Sequence, residues 1–213
     1  MVRTGTENHR GYAVNVYTVD VTTSMKESAL DFATQIIRSG NQYSRLLPRE
    51  VWASNDLNMQ ARLEIQRTYV GKLGELVFLE LLRHFGKAID TTGMLDIFEG
   101  EENVDAFDFE TNNHQTVDVK TGFRPIHIRL LVNMEQFINI PKDYYVAVWL
   151  NGRDVDAEGK LIDFDSITEG IVKGYADYAY LRDHVDERDF GEGPAKHLPY
   201  DGLMGIDRLI NMF

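Results

Sequence analysis

The chain has 213 residues, 43% of them apolar and 11% aromatic, which is enough for one well-cored globular domain. Its formal net charge of −12 argues against the broad basic surface of a protein that coats nucleic acid. The absence of cysteine excludes disulfides and thiolate metal sites and fits a reducing compartment. The stretch through Thr23 lacks the basic start and apolar core of a signal peptide, and no apolar run is long enough to span a membrane, so a cytoplasmic protein is expected. No internal repeat or low-complexity segment is visible.

Residues 13–21 alternate as a short strand. After Thr22, Thr23 or Ser24, residues 25–39 form an amphipathic helix ending near Gly40. A loop around Leu47-Pro48 leads to a longer helix over about 56–85. Asn55 or Asp56 can cap it, and Met59, Leu63, Val70, Leu73, Val77, Leu81 and Phe85 recur at three- and four-residue steps. Glu75 lies within this apolar run, flanked by Leu73, Leu76, Val77 and Phe78. Gly71 and Gly74 each cost roughly 1 kcal/mol relative to Ala in a helix interior, which points to a neighbour, expected to be a sheet, packed closely against this helix. Glu75 can then reach groups on that sheet.

Residues 94–98 read as a strand, and residues 104–110 and 115–121 as two further strands joined by a turn. Side chains two apart in a strand share a face, so Asp118 and Lys120 point one way and Val117 and Val119 the other. If Asn112, Asn113 and His114 form a three-residue loop, with Asn tolerating the left-handed conformation, Asp108 falls opposite Asp118, while Phe107 and Phe109 join the valines. Like charges opposed across a strand pair are destabilising, and the arrangement makes most sense with a cation between them. Hard oxygen ligands suit magnesium or manganese better than zinc. Lys120 could orient a water or offset charge on a phosphate. Asp105 has the opposite parity and is the weaker candidate. The bland alternative is a solvated strand face with an ordinary Asp/Lys pair, yet acids are depleted in strands.

Further strands are expected at 126–132, 144–150, 161–164 and near 170–173, with a Gly- and Asp-rich turn at 151–160. Residues 175–184 read as helical, 186–197 as a polar surface loop, and 205–213 as a closing helix. Tyr175, Tyr178 and Tyr180 are assigned to packing, His114 to a turn and His127 to a strand surface. No phosphate-cradling Gly-rich loop and no Gly-X-Ser-X-Gly elbow is present.

In their order, Glu75 on a helix, Asp108 on one strand and Asp118-Val119-Lys120 on the next resemble the PD-(D/E)XK phosphodiesterases, the restriction-endonuclease-like nucleases. The resemblance covers roughly residues 70–150 and is carried by Gly71-Lys-Leu-Gly-Glu75 and Val117-Asp-Val-Lys-Thr-Gly122. Phe107 stands where the family's name motif has proline. The resemblance implies an α/β fold with a restriction-endonuclease-like core, a central mixed β-sheet flanked by α-helices. It implies Asp108 and Asp118 as metal ligands, Glu75 as a ligand or a base behind them, and Lys120 touching the attacking water or the scissile phosphate. Thr121 would lie near the substrate.

The expectation is a single nuclease domain over 1–213, with an N-terminal extension at 1–55, a catalytic core at 56–150 and a C-terminal completion at 151–213. Its activity would be Mg2+-dependent DNA endonucleolysis, with Mn2+ as a substitute, in restriction, phage defence or mobile-element processing. A catalytically inactive nucleic-acid-binding module, or a nuclease for RNA or branched DNA, are the alternatives. Charge is uneven: residues 26–87 hold nine Lys and Arg against seven acids, whereas 151–213 hold seven against fourteen. Phosphate contacts are therefore expected from the first region, which contains Arg38, Arg45 and Arg49, with Arg62, Arg67 and Lys72 foremost. Cutting both strands needs two sites, hence the expectation of a homodimer; no membrane partner is expected.

Overall fold

The N-terminus folds as a hairpin of β1 (Val2–His9) and β2 (Tyr12–Asp20). Its two-residue turn, Arg10-Gly11, has both φ angles positive at 52° and 84°, the geometry whose twist matches that of paired strands. The computed structural model describes residues 1–38, 53, 56–96, 108–155 and 161–213. Helix α1 (Thr23–Arg38) starts where Thr22 Oγ1 accepts the Met25 N–H at 3.2 Å. Helix α2 (Leu57–His84) is capped by Asp56, whose side chain accepts the Met59 N–H at 3.0 Å.

The remaining elements are β3 (Phe109–Glu110), β4 (Thr116–Gly122), β5 (Arg129–Asn133), α3 (Met134–Asn139), β6 (Tyr144–Leu150), β7 (Arg153–Asp154), β8 (Ile162–Asp163), β9 (Glu169–Asp177), α4 (Tyr178–His184), β10 (Glu187–Asp189), β11 (Pro194–Pro199) and α5 (Asp207–Ile210). Six strands form a central mixed sheet in the order β1-β2-β9-β6-β4-β3. Among the described strands only β4 and β6 pair in parallel, and the chain between them passes through β5 and α3, as a parallel connection requires. A three-stranded sheet, β10-β11-β5, and the small β7-β8 pair complete the set. The molecule is thus mixed α/β, with a mixed sheet and helices.

Strand alternation divides the interior in two. On one face Val117 and Val119 of β4 and Val146 and Val148 of β6 pack with Leu73, Val77 and Phe78 of α2. On the other, Tyr145 and Ala147 pack with Leu130, Val132, Phe137 and Leu198. Among the described residues, no helix is long and apolar enough to cross a membrane.

Several elements correct the sequence reading. Strand β1 was not expected, because its sequence is mostly polar and it lies at the sheet edge. Residues 186–197 form the β10-β11 hairpin rather than a loop. Here Pro194 opens a strand, a position that tolerates a missing N–H, and Ala195 and Lys196 are buried. Residues 94–96 lie in a turn region, not a strand, while 97 and 98 lie outside the described residues. Residues 175–177 belong to β9, and α4 starts only where Asp177 accepts the Tyr180 N–H at 2.7 Å. Strand β5 begins at Arg129, and α5 spans only Asp207–Ile210. Leu47-Pro48, Arg45, Arg49, Asp105 and Phe107 lie outside the described residues.

Candidate active site at the edge of the central sheet

The β3-β4 hairpin has the register expected from a three-residue loop, with Phe109 opposite Val117 and Glu110 opposite Thr116. Thr111 N–H donates to the Gln115 carbonyl at 2.9 Å. The left-handed residue is His114, with φ 59°, rather than either asparagine. Its ring Nδ1 lies 2.5 Å from Glu110 Oε1.

One residue before Phe109, Asp108 bonds to β4 through both its backbone and its side chain. The Asp108 N–H donates to the Val117 carbonyl at 3.1 Å, and the Asp108 carboxylate accepts the Val119 N–H at 2.6 Å. A side chain thereby satisfies a backbone donor on the edge of β4. Val117 and Val119 are buried under α2, while Asp118 and Lys120 project from the opposite face. Lys120 Nζ lies 2.6 Å from Asp118 Oδ2 and donates to Gln136 Oε1 at 3.1 Å. Gln136 sits in α3, whose first turn is held by the Asn133 side chain accepting the Glu135 N–H at 2.9 Å.

Helix α2 reaches this edge because it packs tightly on β4. A Cβ on Gly74 would stand 1.9 Å from Thr121 Oγ1, so only glycine fits without movement. Among the described residues a Cβ on Gly71 would meet nothing within 4 Å, and the close-packing argument finds no support there. Glu75 follows the contact and pairs with Lys72 Nζ at 2.5 Å. Lys72 also donates to the Met94 carbonyl at 3.0 Å and lies 4.5 Å from the Phe32 ring centre.

Two of the carboxylates act on the third. Burial pushes the Asp108 carboxyl well above the usual range, and the charges of Glu75 and Asp118 push it further. The Val119 N–H and Lys120 work in the other direction. The site carries more negative charge than its lysines offset at Asp108. Lys142, which sequence reading missed, stands close enough to sense Asp118, Lys120 and Asp108; burial lowers its pKa, and the two aspartates oppose that. Its backbone N–H donates to the Tyr145 hydroxyl at 3.0 Å, and Tyr145 is the β6 partner of Asp118. Among the described residues, no three acidic or histidine side chains already form a metal-binding group.

The expected phosphate contacts are distributed differently. Arg62 is exposed on the first half of α2. Arg67 is engaged by Glu192 through both terminal nitrogens. Lys72 is buried against Glu75 and belongs to the carboxylate site, not to an open basic border. His127 is no strand-surface residue. It lies in a turn, its Nδ1 accepts the Phe123 N–H at 3.0 Å, and burial pushes its pKa down to about 4. Tyr175 is buried, and Tyr178 and Tyr180 pack on the second core. No protein-family model matches the chain, and neither does any curated protein or solved structure.

Proposed function

We propose that this chain is a metal-dependent endonuclease with a restriction-endonuclease-like core, hydrolysing phosphodiester bonds of DNA. One observation carries the reading: a helix, a hairpin strand and its neighbour bring Glu75, Asp108, Asp118 and Lys120 to one stretch of sheet edge. Opposed carboxylates with a buried member are an expensive arrangement for stability alone.

The donor chemistry fits Mg2+, with Mn2+ as a substitute: all three acids offer hard oxygen, and Asp108 lies under the field of the other two. Asp108 and Asp118 would hold the ion, with Glu75 a third ligand or a base. When bound, such an ion supplies Lewis acidity and a lowered pKa for an attached water. The chain's own groups do the rest. Charged lysine has no lone pair for a cation, so Lys120 acts on the reactants, orienting the attacking water or offsetting charge on the phosphate. Gln136 and Asp118 hold its Nζ from two sides and fix its aim. Lys72 neutralises Glu75 and keeps it folded against α2 until substrate and cation compete for it. The leaving 3′-oxygen takes a proton from solvent.

The test is cleavage of matched duplex, single-stranded, junction and RNA substrates with magnesium and with chelator. Duplex cutting that requires the divalent ion is the expected result. Cutting confined to RNA or junctions would move the substrate class. Tight DNA binding with no cleavage of any substrate would leave a nuclease-fold binding module.

A further inference from the structure

The other end of β4 carries a second charged cluster. Helix α2 runs antiparallel to β4, since the Phe78 ring meets Phe109, the partner of Val117, whereas Gly74 meets Thr121. Going back from Glu75 to Arg67 covers roughly 12 Å at about 1.5 Å per residue, and brings the helix level with the chain leaving β4. Arg124 stands there, two residues past the strand end. Its Nε donates to Asp154 Oδ1 at 2.7 Å. Arg67 Nη1 donates to Glu192 Oε2 at 2.7 Å and its Nη2 donates to Oε1.

The partners in these pairs are not equally anchored. The side chains of Arg67 and Arg124 are 25% and 16% exposed, but those of Glu192 and Asp154 are 39% and 41% exposed. The Arg124 guanidinium lies 4.9 Å from the Phe123 ring centre, and its carbonyl accepts the Trp149 indole N–H at 2.8 Å. Its Nη2 is buried with no hydrogen-bond partner among the described residues. Glu192 lies between Gly191 and Gly193, whose φ angles are 100° and 102°, in a turn where Asp189 Oδ1 accepts both glycine N–H groups at 2.7 and 3.1 Å. The arginines are thus built in, and the acids reach them from the surface. His127 senses the same four side chains: burial holds it low, Arg124 and Arg67 push it the same way, and Glu192 and Asp154 oppose them.

We infer that Arg67 and Arg124 form a phosphate-binding subsite for a backbone phosphate flanking the scissile bond, and that Glu192 and Asp154 occupy it as exchangeable stand-ins in the free chain. A guanidinium fork fits carboxylate and phosphate alike, so the exchange keeps the donor geometry. At about 3.4 Å of axial rise per nucleotide, the span from Glu75 corresponds to a few base steps. This assignment rests on the nuclease reading for the source of the phosphate, but not for the chemistry that binds it.

The experiment measures binding of a short labelled duplex by anisotropy across salt concentrations, with calcium replacing magnesium, and binding of inorganic phosphate by thermal shift. Glu192→Gln and Asp154→Asn should each tighten duplex binding by roughly two- to fivefold, the scale of one partly exposed ion pair. Arg124→Gln should weaken it and flatten the log–log salt slope by about 0.9. Arg67→Gln should erase the gain of Glu192→Gln. If both acid variants leave affinity unchanged or weaken it while lowering the melting temperature, the pairs are structural clasps and the inference is wrong. Duplex cleavage by the wild type alongside that result would leave the nuclease reading standing. Conversely, a chain that ignores duplex but is stabilised by inorganic phosphate, more so as Glu192→Gln, would keep the subsite with a free phosphate ester as its ligand and overturn the nuclease reading.

Discussion

The two ends of β4 are built from the same parts, one face of α2 and one strand, yet they balance charge in opposite ways. At the carboxylate end, Lys72 pairs with Glu75 and Lys120 with Asp118, while Asp108 accepts a backbone N–H and is raised by burial and then by its acidic neighbours. At the arginine end, each guanidinium has its own carboxylate. One end lacks a charge and the other is complete. A ligand for the first binds by addition, filling a deficit that already costs the fold. A ligand for the second binds by exchange, displacing surface acids. The first should therefore show its ligand in stability, and the second in affinity and salt dependence.

The largest effects should come from breaking the carboxylate end in two distinct ways. Asp108→Ala removes the deficit itself. Cleavage should be lost, the metal-free protein should melt at an equal or higher temperature, and magnesium should no longer stabilise it, because an ion that prefers the folded state raises stability only where its site survives. Lys120→Ala leaves the carboxylates intact and should lower the single-turnover rate by roughly 100- to 1000-fold, with magnesium still raising the melting temperature. Equal magnesium stabilisation of wild type and Asp108→Ala would remove the metal from the site. Near wild-type cutting by Lys120→Ala would remove the lysine from the chemistry.

The second effect sharpens the arginine end through its buried imidazole. Unfolded, His127 takes up a proton near its ordinary value of 6.5; folded, only near about 4. Between those values the unfolded state binds more protons, so stability rises with pH. Acidification through that window should cost up to on the order of 3 kcal/mol. Asp108 works in the opposite sense, since a raised carboxyl makes the fold less favourable at neutral pH than in acid. Urea unfolding at pH 7, 5.5 and 4.5 should therefore show a flatter dependence for His127→Gln than for the wild type. Parallel curves would mean that the imidazole titrates normally.

What the sequence disclosed follows the range of the forces involved. Helix α2, strand β6 and the β3-β4 register were legible because a cap, an unbroken β-prone run and a short loop fix them locally. Glu75, Asp108, Asp118 and Lys120 were singled out on the same local patterns, together with the family resemblance. At the arginine end Arg67 was among the expected phosphate contacts, but its partner was not legible, because the pair joins residues 125 apart and Glu192 lies in a segment whose glycines and proline read as a loop. Its strands β10 and β11 are held by long-range contacts: β5 pairs with β11, and Lys196 donates to the Val185 carbonyl at 2.7 Å. Gln136 and Lys142 escaped notice as polar residues on a short helix and before a strand, placed at the site by the crossover to β6.

The smallest effect separates two glycines that look alike in sequence. Both lie in α2 within one turn of Glu75, and both lose about 1 kcal/mol of helix propensity relative to Ala. At Gly74 a methyl would stand 1.9 Å from Thr121 Oγ1 and 3.0 Å from both Thr121 Cβ and Cγ2. Turning the hydroxyl away cannot clear it, because the Cβ is fixed to the strand. Gly74→Ala should therefore destabilise by a net 1–2 kcal/mol, roughly the cost of overpacking less the gain in propensity. It should also slow cleavage by shifting Glu75 away from the strand edge. Adding Thr121→Ala should restore part of both losses. At Gly71 a methyl meets nothing within 4 Å among the described residues, so Gly71→Ala should raise stability by up to about 1 kcal/mol with cleavage unchanged. Chemical denaturation and single-turnover rates on the three variants measure both quantities. If Gly74→Ala proved as benign as Gly71→Ala, α2 would not be pressed onto β4 at Thr121, and the route by which Glu75 reaches Asp108 would be lost.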